Sequence, residues 1–179
     1  MQDKNKKLLK KIARKSIKNA IQKKKDQLIN KRVPDELKQK RGVFVTLYKD
    51  NKLRGCIGKI KEKKTSLYKS VAKMAKAAAL NDNRFLPVKL DELKNIKINI
   101  SILSPLKKTK NPKKEIELGK HGVFIKKNFK SGVFLPEVAQ ETNWDLKKFM
   151  NELCKKAGLK TNDWQTKEIE IYKFTTKSI

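Results

Sequence analysis

The sequence predicts an α+β protein in which a mixed or antiparallel sheet packs against helices. Three observations lead to this prediction. Apolar residues repeat at helical spacing in several separate segments, β-rich runs occur in pairs around turn residues, and helices and strands alternate irregularly along the chain. A doubly wound fold would show a regular alternation of strands and helices instead. The chain of 179 residues is long enough for one domain with a core, so we predict a single domain over 1–179.

The first half of the chain is predicted to form a helix over 7–23, strands over 43–49 and 53–60, and a helix ending near 81. Apolar residues from Leu8 onward fall on one face of the first helix. A polar link then leads into a hairpin that turns at Asp50 and Asn51. Thr65 or Ser66 is predicted to cap the second helix, whose small residues indicate close packing against the sheet.

The second half is predicted to form a helical turn at 91–96, a strand through IKINISILS, a lysine-rich loop at 105–112, a hairpin with strands at 122–127 and 132–135, a helix from 143 or 145 to 157, and a strand at 168–174. Isoleucines alternate with polar residues in IKINISILS, which is typical of a half-buried strand. Gly158 is expected to end the last helix, and Cys154 lies on its apolar stripe and is expected in the core.

The charge balance is strongly basic, with 47 Lys and Arg against 18 Asp and Glu and a formal net charge of +29. Such a balance is typical of proteins that bind nucleic acid, anionic membranes or acidic partners. The cations are mostly lysine, however, whereas specific recognition of bases and phosphates relies more on arginine. This skew favours amino-acid usage or solubility over a dedicated polyanion site, although nucleic-acid binding stays open as an alternative. The arginines are Arg14, Arg32, Arg41, Arg54 and Arg84.

Several function classes lack their sequence signatures. Two distant cysteines and one histidine do not give the spacing of a zinc site or an iron–sulfur cluster, and no phosphate-binding glycine motif appears, so we expect no metal and no cofactor. The basic N-terminal segment lacks the apolar core of a signal peptide, and no run approaches the length of a membrane span. A membrane-bound first helix is less favoured than one docked on its own domain, because it lacks Trp and Phe anchors. We therefore expect a soluble, cytoplasmic protein without membrane association.

Several motifs in the same order resemble the AMMECR domain family, the A component of the AmmeMemoRadiSam group. They are GVFVTLYKDNKLRGCIG, RFLPV with DELKNIKINISILS, GKHGVFI, and GVFLPEVAQETNWDLKKFMNELCKKAGL with a terminal Trp and IYKF. The resemblance implies two unequal α+β subdomains with a groove between them, and an intracellular protein associated with Memo-like and radical SAM proteins. It does not imply an established biochemical activity.

The resemblance also assigns candidate site residues. The family's LRGCIG motif, its arginine-centred loop, its glycine–histidine–glycine element and its LPEVA element supply these candidates in turn: Arg54, Gly55, Cys56, Gly58, Asp82, Arg84, His121 and Glu137. One departure is Asn83, where family members usually have proline, which leaves the orientation of the neighbouring Arg84 open.

Two interpretations of this set remain open. If Arg54 and Cys56 share one face of a strand, the guanidinium would favour a thiolate, with His121 as base and Glu137 orienting it. Alternatively, Cys56 is packed and inert, Arg54 clamps Glu137 or Asp82, and His121 satisfies backbone groups at a turn. The two glycines of the motif would let a substrate or another backbone come close.

Three functions follow from these interpretations. The first is an accessory or adaptor protein whose groove around LRGCIG binds a ligand or an acidic partner segment, with Arg54 and Arg84 contacting it. The second is an enzyme with Cys56 as nucleophile. The third is nucleic-acid binding through the lysine-rich surface.

Overall fold

The computed structural model describes residues 1–25 and 33–179. Arg32 and much of the predicted polar link lie outside the described residues. The chain divides into two compact units, one formed by Met1–Leu103 with Lys177–Ile179 and the other by Ser104–Thr176.

The helices and strands follow this order along the chain. Up to residue 103 they are α1 (Asp3–Ile21), α2 (Asp35–Lys38), β1 (Val43–Lys49), β2 (Lys52–Lys59), α3 (Leu67–Leu80), a 3₁₀ turn (Glu92–Asn95) and β3 (Lys97–Leu103). After it they are β4 (Lys107–Thr109), α4 (Pro112–Glu115), β5 (Gly122–Lys127), β6 (Lys130–Phe134), α5 (Pro136–Thr142), α6 (Leu146–Lys156), a 3₁₀ turn (Asp163–Gln165), β7 (Glu170–Phe174) and β8 (Thr176–Ser178).

The predicted α+β class is confirmed, because helices are combined with two four-stranded sheets. The first sheet has the order β2-β1-β3-β8 and the second β4-β7-β5-β6. In the first sheet β1 pairs antiparallel with both β2 and β3, and in the second β5 pairs antiparallel with β6 and β7. Strand β2 therefore lies at an edge of its sheet, which places the LRGCIG motif there.

The core of the first unit lies between one face of its sheet and helices α1 and α3. Alternate residues of β1, namely Val43, Val45 and Leu47, are fully buried. Leu9 and Ile17 of α1 are also fully buried, so this helix docks on its own unit as the sequence indicated. In the described part of the chain, no helix has both the length and the apolar character needed to cross a membrane.

The β1–β2 hairpin confirms the predicted turn and adds a bulge. Asp50 and Asn51 have φ of 50° and 59°, the left-handed conformation that a two-residue hairpin turn requires. Leu47 pairs with Gly55 while Tyr48 pairs with Leu53, so one residue of β2 is extra at this point. That residue is Arg54, and a bulge of this kind redirects a side chain away from the regular alternation.

Close packing between β2 and α3 depends on a glycine. A Cβ atom built on Gly55 would lie 2.1 Å from the carbonyl oxygen of Ala78 in α3. No side chain fits at that distance, and the small residues at this end of α3 allow the helix to approach. The close packing predicted from AKAAAL is therefore present.

The second unit has its own core beneath helix α6. Phe149, Met150, Leu153 and Cys154 are fully buried, so Cys154 is a core residue as expected. The side chain of Asp145 accepts a hydrogen bond from the Lys148 backbone N–H at 2.7 Å and caps the helix. Gly158 follows it with φ of 70° and ends it, also as predicted.

Several elements differ from the predictions because apolar periodicity does not mark them. Helix α1 begins at Asp3 rather than at residue 7. In this additional turn Asn5 is buried and donates a hydrogen bond to the Glu36 carboxylate at 2.7 Å. The predicted lysine-rich loop contains β4 and α4, and the segment PEVAQET forms α5. The hairpin after β5 has a shorter turn than expected, because its second strand begins at Lys130 rather than at residue 132. These are short polar elements whose backbone pairing, rather than an apolar stripe, defines them.

We predict that Gly55→Ala will destabilise the first unit more than Gly58→Ala. The new methyl group at position 55 would meet the backbone of α3, whereas at position 58 it would meet the Phe44 ring, which can rotate away. We expect Gly55→Ala to lower the free energy of unfolding by about 1–3 kcal/mol in urea titrations. Equal losses for the two variants would show that α3 is free to shift and would contradict the prediction.

Candidate functional site

Asp82 joins the segment after α3 to the edge of the sheet. Its side chain is buried, with 5% of the residue exposed, and Oδ2 accepts a hydrogen bond from the Cys56 backbone N–H at 2.8 Å. Because β2 is an edge strand, this N–H has no neighbouring strand to pair with on that side. The Asp82 carboxylate takes the place of that strand and links the LRGCIG motif to the loop of residues 81–92 that follows α3.

Arg84 holds the same carboxylate from the solvent side. Its Nε and Nη2 donate to the two oxygens of Asp82 at 2.9 and 2.7 Å. These side-chain bonds, joined by backbone N–H groups of Cys56 and Arg84, lower the pKa of Asp82 to about 2 against the penalty of burial. The Arg84 side chain is 54% exposed. Its orientation, which the departure at Asn83 left open, is fixed by Asp82.

Arg54 holds the second half of the same loop through hydrogen bonds. Its guanidinium donates to Glu92 at 3.3 and 3.1 Å, and to the carbonyl oxygens of Leu86 and Pro87 at 2.8 and 3.4 Å. The Arg54 bonds, followed by the Lys89 backbone N–H, lower the pKa of Glu92 to about 2. Four hydrogen bonds therefore commit the side chain of Arg54 to this loop.

The carboxylate that Arg54 clamps differs from the expected ones. The sequence suggested Glu137 or Asp82 as its partner, whereas Glu92 is the partner and Asp82 belongs to Arg84. The shared-face relation expected for Arg54 and Cys56 assumed a regular strand. The bulge at Arg54 breaks that regularity, so spacing by two residues does not set the direction of its side chain.

Cys56 lies half-buried beside Thr46 on the neighbouring strand. Its Sγ is 3.3 Å from the Thr46 Oγ1, and the two residues are paired in the β1–β2 register. Its backbone is held on both sides, since Asp82 accepts from its N–H and the Nη2 of Arg84 donates to its carbonyl at 3.4 Å. The thiol is thus partly accessible on a fixed backbone.

The two glycines of the motif have different neighbours. Gly55 lets the backbone of α3 come close, which is one of the two roles expected for these glycines, the other being close approach of a substrate. Beside Gly58, the ring of Phe44 lies 2.3 Å from where a Cβ would stand. Phe44 therefore fills the space over Gly58, and that space is not open to a substrate.

His121 and Glu137 belong to the second unit. His121 Nδ1 accepts a hydrogen bond from the Glu117 backbone N–H at 3.0 Å, so the histidine satisfies a backbone group at a turn. Burial, and then the charges of Lys173 and Lys120, lower the pKa of His121, which keeps it neutral at pH 7. Glu137 lies half-buried in the first turn of α5. Their pairing with Cys56, a residue of the first unit, stays a prediction.

Comparison with known proteins places the chain in a family. Residues 10–179 match the family model described as AMMECR1. The chain belongs to the AMMECR1 family. The resemblance inferred from LRGCIG and the other motifs is therefore confirmed over nearly the whole sequence.

Relatives of this AMMECR1-family chain occur in several archaea. Protein PF1979 of Pyrococcus furiosus is 40% identical over 156 residues, which cover 82% of this chain and 74% of the relative. Protein MK0488 of Methanopyrus kandleri is 40% identical over 171 residues, covering 91% and 82%. The crystal structure of uncharacterized protein PH0010 from Pyrococcus horikoshii matches with a TM-score of 0.92 at 35% identity, covering 99% of this chain and 92% of that one. These relatives support the AMMECR1 fold and leave its activity open.

Two site residues were missed by sequence reasoning. Glu92 lies in DELKNI, which was interpreted only as a helical turn, and Thr46 lies in a strand whose neighbours are apolar. An acidic residue at the start of a turn and a threonine in a strand carry no distinguishing signal in one sequence. Within residues 1–25 and 33–179, no group of three or more His, Cys, Asp or Glu side chains could hold a metal ion.

We predict that Asp82→Asn will lower stability at neutral pH by about 2 kcal/mol, the free energy that corresponds to a pKa of about 2 in place of 3.8. Because folding depresses this pKa, the stabilisation is complete well above pH 4 and is lost as the pH falls towards 2. The free energies of unfolding of wild type and variant, measured by urea titration, should therefore converge at acidic pH. Asp91→Asn, an exposed change in the same loop, serves as the control and should have little effect. A constant difference across the whole pH range would contradict this assignment.

We predict that iodoacetamide will label Cys56 in the native protein while leaving Cys154 unlabelled. Cys56 is half-buried at an edge strand, whereas Cys154 is fully buried and its burial raises the pKa of its thiol. Peptide mass spectrometry would measure both rates, and unfolding in urea should make both thiols react. Native Cys56 that labels no faster than Cys154 would make it an inert packing residue.

Proposed function

We propose that this protein is an accessory or adaptor protein and that the loop held by Arg54 and Arg84 binds an acidic segment of a partner protein. One observation carries the proposal. Four large apolar side chains are strongly exposed among the described residues, and three of them belong to Arg54 and its loop. Leu53 precedes Arg54 in β2, and Leu86 and Leu90 lie in the segment that Arg54 and Glu92 hold.

The exposed leucines stand on an ordered backbone. Leu86 is 84% exposed, yet its carbonyl oxygen accepts a hydrogen bond from Arg54 at 2.8 Å. Single exposed apolar residues are common, but Leu86 and Leu90 line one cavity together, and neighbouring exposed apolar side chains of this kind mark an interaction site. Binding would order little further, so the entropy lost on association is small.

A cavity beside Leu86 provides space for an apolar side chain of the partner. It has a volume of about 530 Å³, and its lining residues are mostly apolar and come from the end of α1, the end of α3 and the loop itself. Lys23 and Lys89 also line it, and the half-exposed Arg84 lies on the same loop. An apolar cavity with a cationic rim suits an acidic segment that carries one or two large apolar residues.

The family resemblance suggests which partners to test. Memo-like and radical SAM proteins are the proposed partners, and the cytoplasm is the proposed compartment. The site proposed here lies within the first unit and consists of Arg84, Leu86, Leu90 and the cavity beside them. Arg54, which the sequence placed in contact with the ligand, supports this surface through Leu86 and Glu92 instead.

Catalysis by Cys56 is the second candidate function. The half-buried thiol beside Thr46, on a backbone fixed by Asp82 and Arg84, favours it. This function requires a base near the sulfur, for which His121 remains the candidate. Nucleic-acid binding rests on the net charge alone.

Fluorescence anisotropy with a labelled acidic amphipathic peptide would test the adaptor function. Leu86→Ala should weaken binding about tenfold, because removal of an apolar anchor from an interface typically has an effect of this size. Leu86 is 84% exposed, so its replacement leaves the fold intact. Cys56→Ser should leave binding unchanged, which separates an adaptor from a thiol enzyme.

Phe129→Ala provides the matched control, since Phe129 is the fourth large apolar residue that is exposed in the described part of the chain and lies in the second unit. Binding that Phe129→Ala weakens as much as Leu86→Ala would indicate nonspecific adhesion. A peptide affinity that Leu86→Ala does not change would exclude this loop as the binding surface.

A further inference from the structure

A cavity in the second unit combines unpaired lysines with an apolar wall. It has a volume of about 600 Å³, within the range of sites for small organic ligands. Its lysines come from β4, from the turn after β4, from α4 and from the segment before β7. They are Lys108, Lys110, Lys113 and Lys167.

Their position around one cavity, rather than their number or their lack of ion pairs, distinguishes these lysines. The chain is rich in lysine throughout, so several around a cavity are expected from composition. Lys108 forms an ion pair with Glu170 at 3.1 Å, but within the described residues Lys110, Lys113 and Lys167 have no ion pair or side-chain hydrogen bond. By contrast, Lys127 at another cavity of this unit is paired with both Asp163 and Glu168.

The backbone that carries two of these lysines is ordered by side-chain bonds. Thr109 is buried and its Oγ1 accepts from the Asn111 backbone N–H at 3.2 Å. The Asn111 side chain in turn accepts from the Lys114 N–H at 3.3 Å. The backbone that carries Lys110 and Lys113 is therefore fixed beside the cavity, and an anion bound there would interact favourably with both ammonium groups.

Another part of the lining is apolar. Trp164, Ile169 and Ile171 line the cavity together with Pro112. The Trp164 ring is anchored, because its Nε1–H donates to Asn151 at 2.8 Å. Trp164 is 4% exposed, so it adds a small apolar surface to the cavity beside three ammonium groups without ion pairs. Such a lining suits a multiply charged phosphate group attached to an apolar or aromatic body.

We propose that this cavity is a binding site for a small organic phosphate of the nucleoside polyphosphate class, separate from the partner-binding loop. The lysines would contact the phosphates as point charges, and the wall formed by Trp164 and its neighbours would contact the organic body. The site requires no chemical step and no metal. Its location in the second unit makes it independent of the adaptor function proposed above.

Calorimetry with ATP and with inorganic triphosphate, both without magnesium, would test this site. A triple replacement of Lys110, Lys113 and Lys167 by Gln should weaken binding of both at least about tenfold, because it removes three charge-assisted contacts. Tighter binding of ATP than of triphosphate would show that the apolar wall contributes. Quenching of Trp164 fluorescence in a Trp144→Phe background would locate the ligand, since the chain has two tryptophans.

The control is a triple replacement of Lys7, Lys15 and Lys147 by Gln. These lysines are exposed, lie elsewhere on the chain and are likewise without ion pairs among the described residues, so both triple variants lose the same charge. The control variant should bind ATP and triphosphate with affinities within about twofold of the wild-type values. Equal weakening by both triples would show that the overall charge attracts the ligand and would overturn the proposal. So would wild-type protein that binds neither ATP nor triphosphate at millimolar concentration in low salt.

Discussion

The approach of β2 to α3 at Gly55 is the constraint on which the candidate site depends. A Cβ at this position would lie 2.1 Å from the Ala78 carbonyl oxygen, so only glycine allows the two backbones to come so close. Helix α3 ends two residues later, at Leu80, and the chain then reaches Asp82 beside the edge of the same strand. With a wider gap, the Asp82 carboxylate would not reach the Cys56 N–H. Gly55 of LRGCIG is therefore explained by packing against α3. It affects the candidate site indirectly, because this packing brings Asp82 within reach of the Cys56 N–H.

Two arginine–carboxylate pairs hold the ends of the loop that follows. Asp82 binds Arg84 at its start, and Glu92 binds Arg54 at its end. Both carboxylates also accept backbone N–H groups, from Cys56 in one case and from Lys89 in the other. Hydrogen bonds of this kind compensate the desolvation of a buried carboxylate, whereas an exposed ion pair contributes little. The loop thus keeps a defined backbone although most of its side chains face solvent.

The sequence predicts some parts of this arrangement and not others. Hairpin β1–β2, strand β3 and helix α6 were predictable because apolar period, turn residues and caps agree at each of them. The pair of Arg54 and Glu92 was not predictable, because it joins residues 38 positions apart through a bulge that has no marker in the sequence. Family motifs identified Asp82 and Arg84 as candidates, but only the folded structure shows that both bind the edge of β2. Exposed leucines such as Leu86 look like core residues in a sequence, since burial there is inferred from residue type.

The net charge of +29 has to be interpreted through local pairing. Some lysines and arginines form ion pairs with carboxylates, as Arg54 does with Glu92 and Lys127 with Glu168. The carboxylate neutralises the positive charge of such a residue, so the pair attracts an anionic ligand only weakly. Lysines that line a cavity without a carboxylate partner have the opposite effect, because their positive charge is available to an anion from outside. A count of lysines treats these two cases as equal. An anion site in the second unit is therefore inferred from the position of three such lysines around one cavity with apolar residues in its lining, and not from the net charge of the chain.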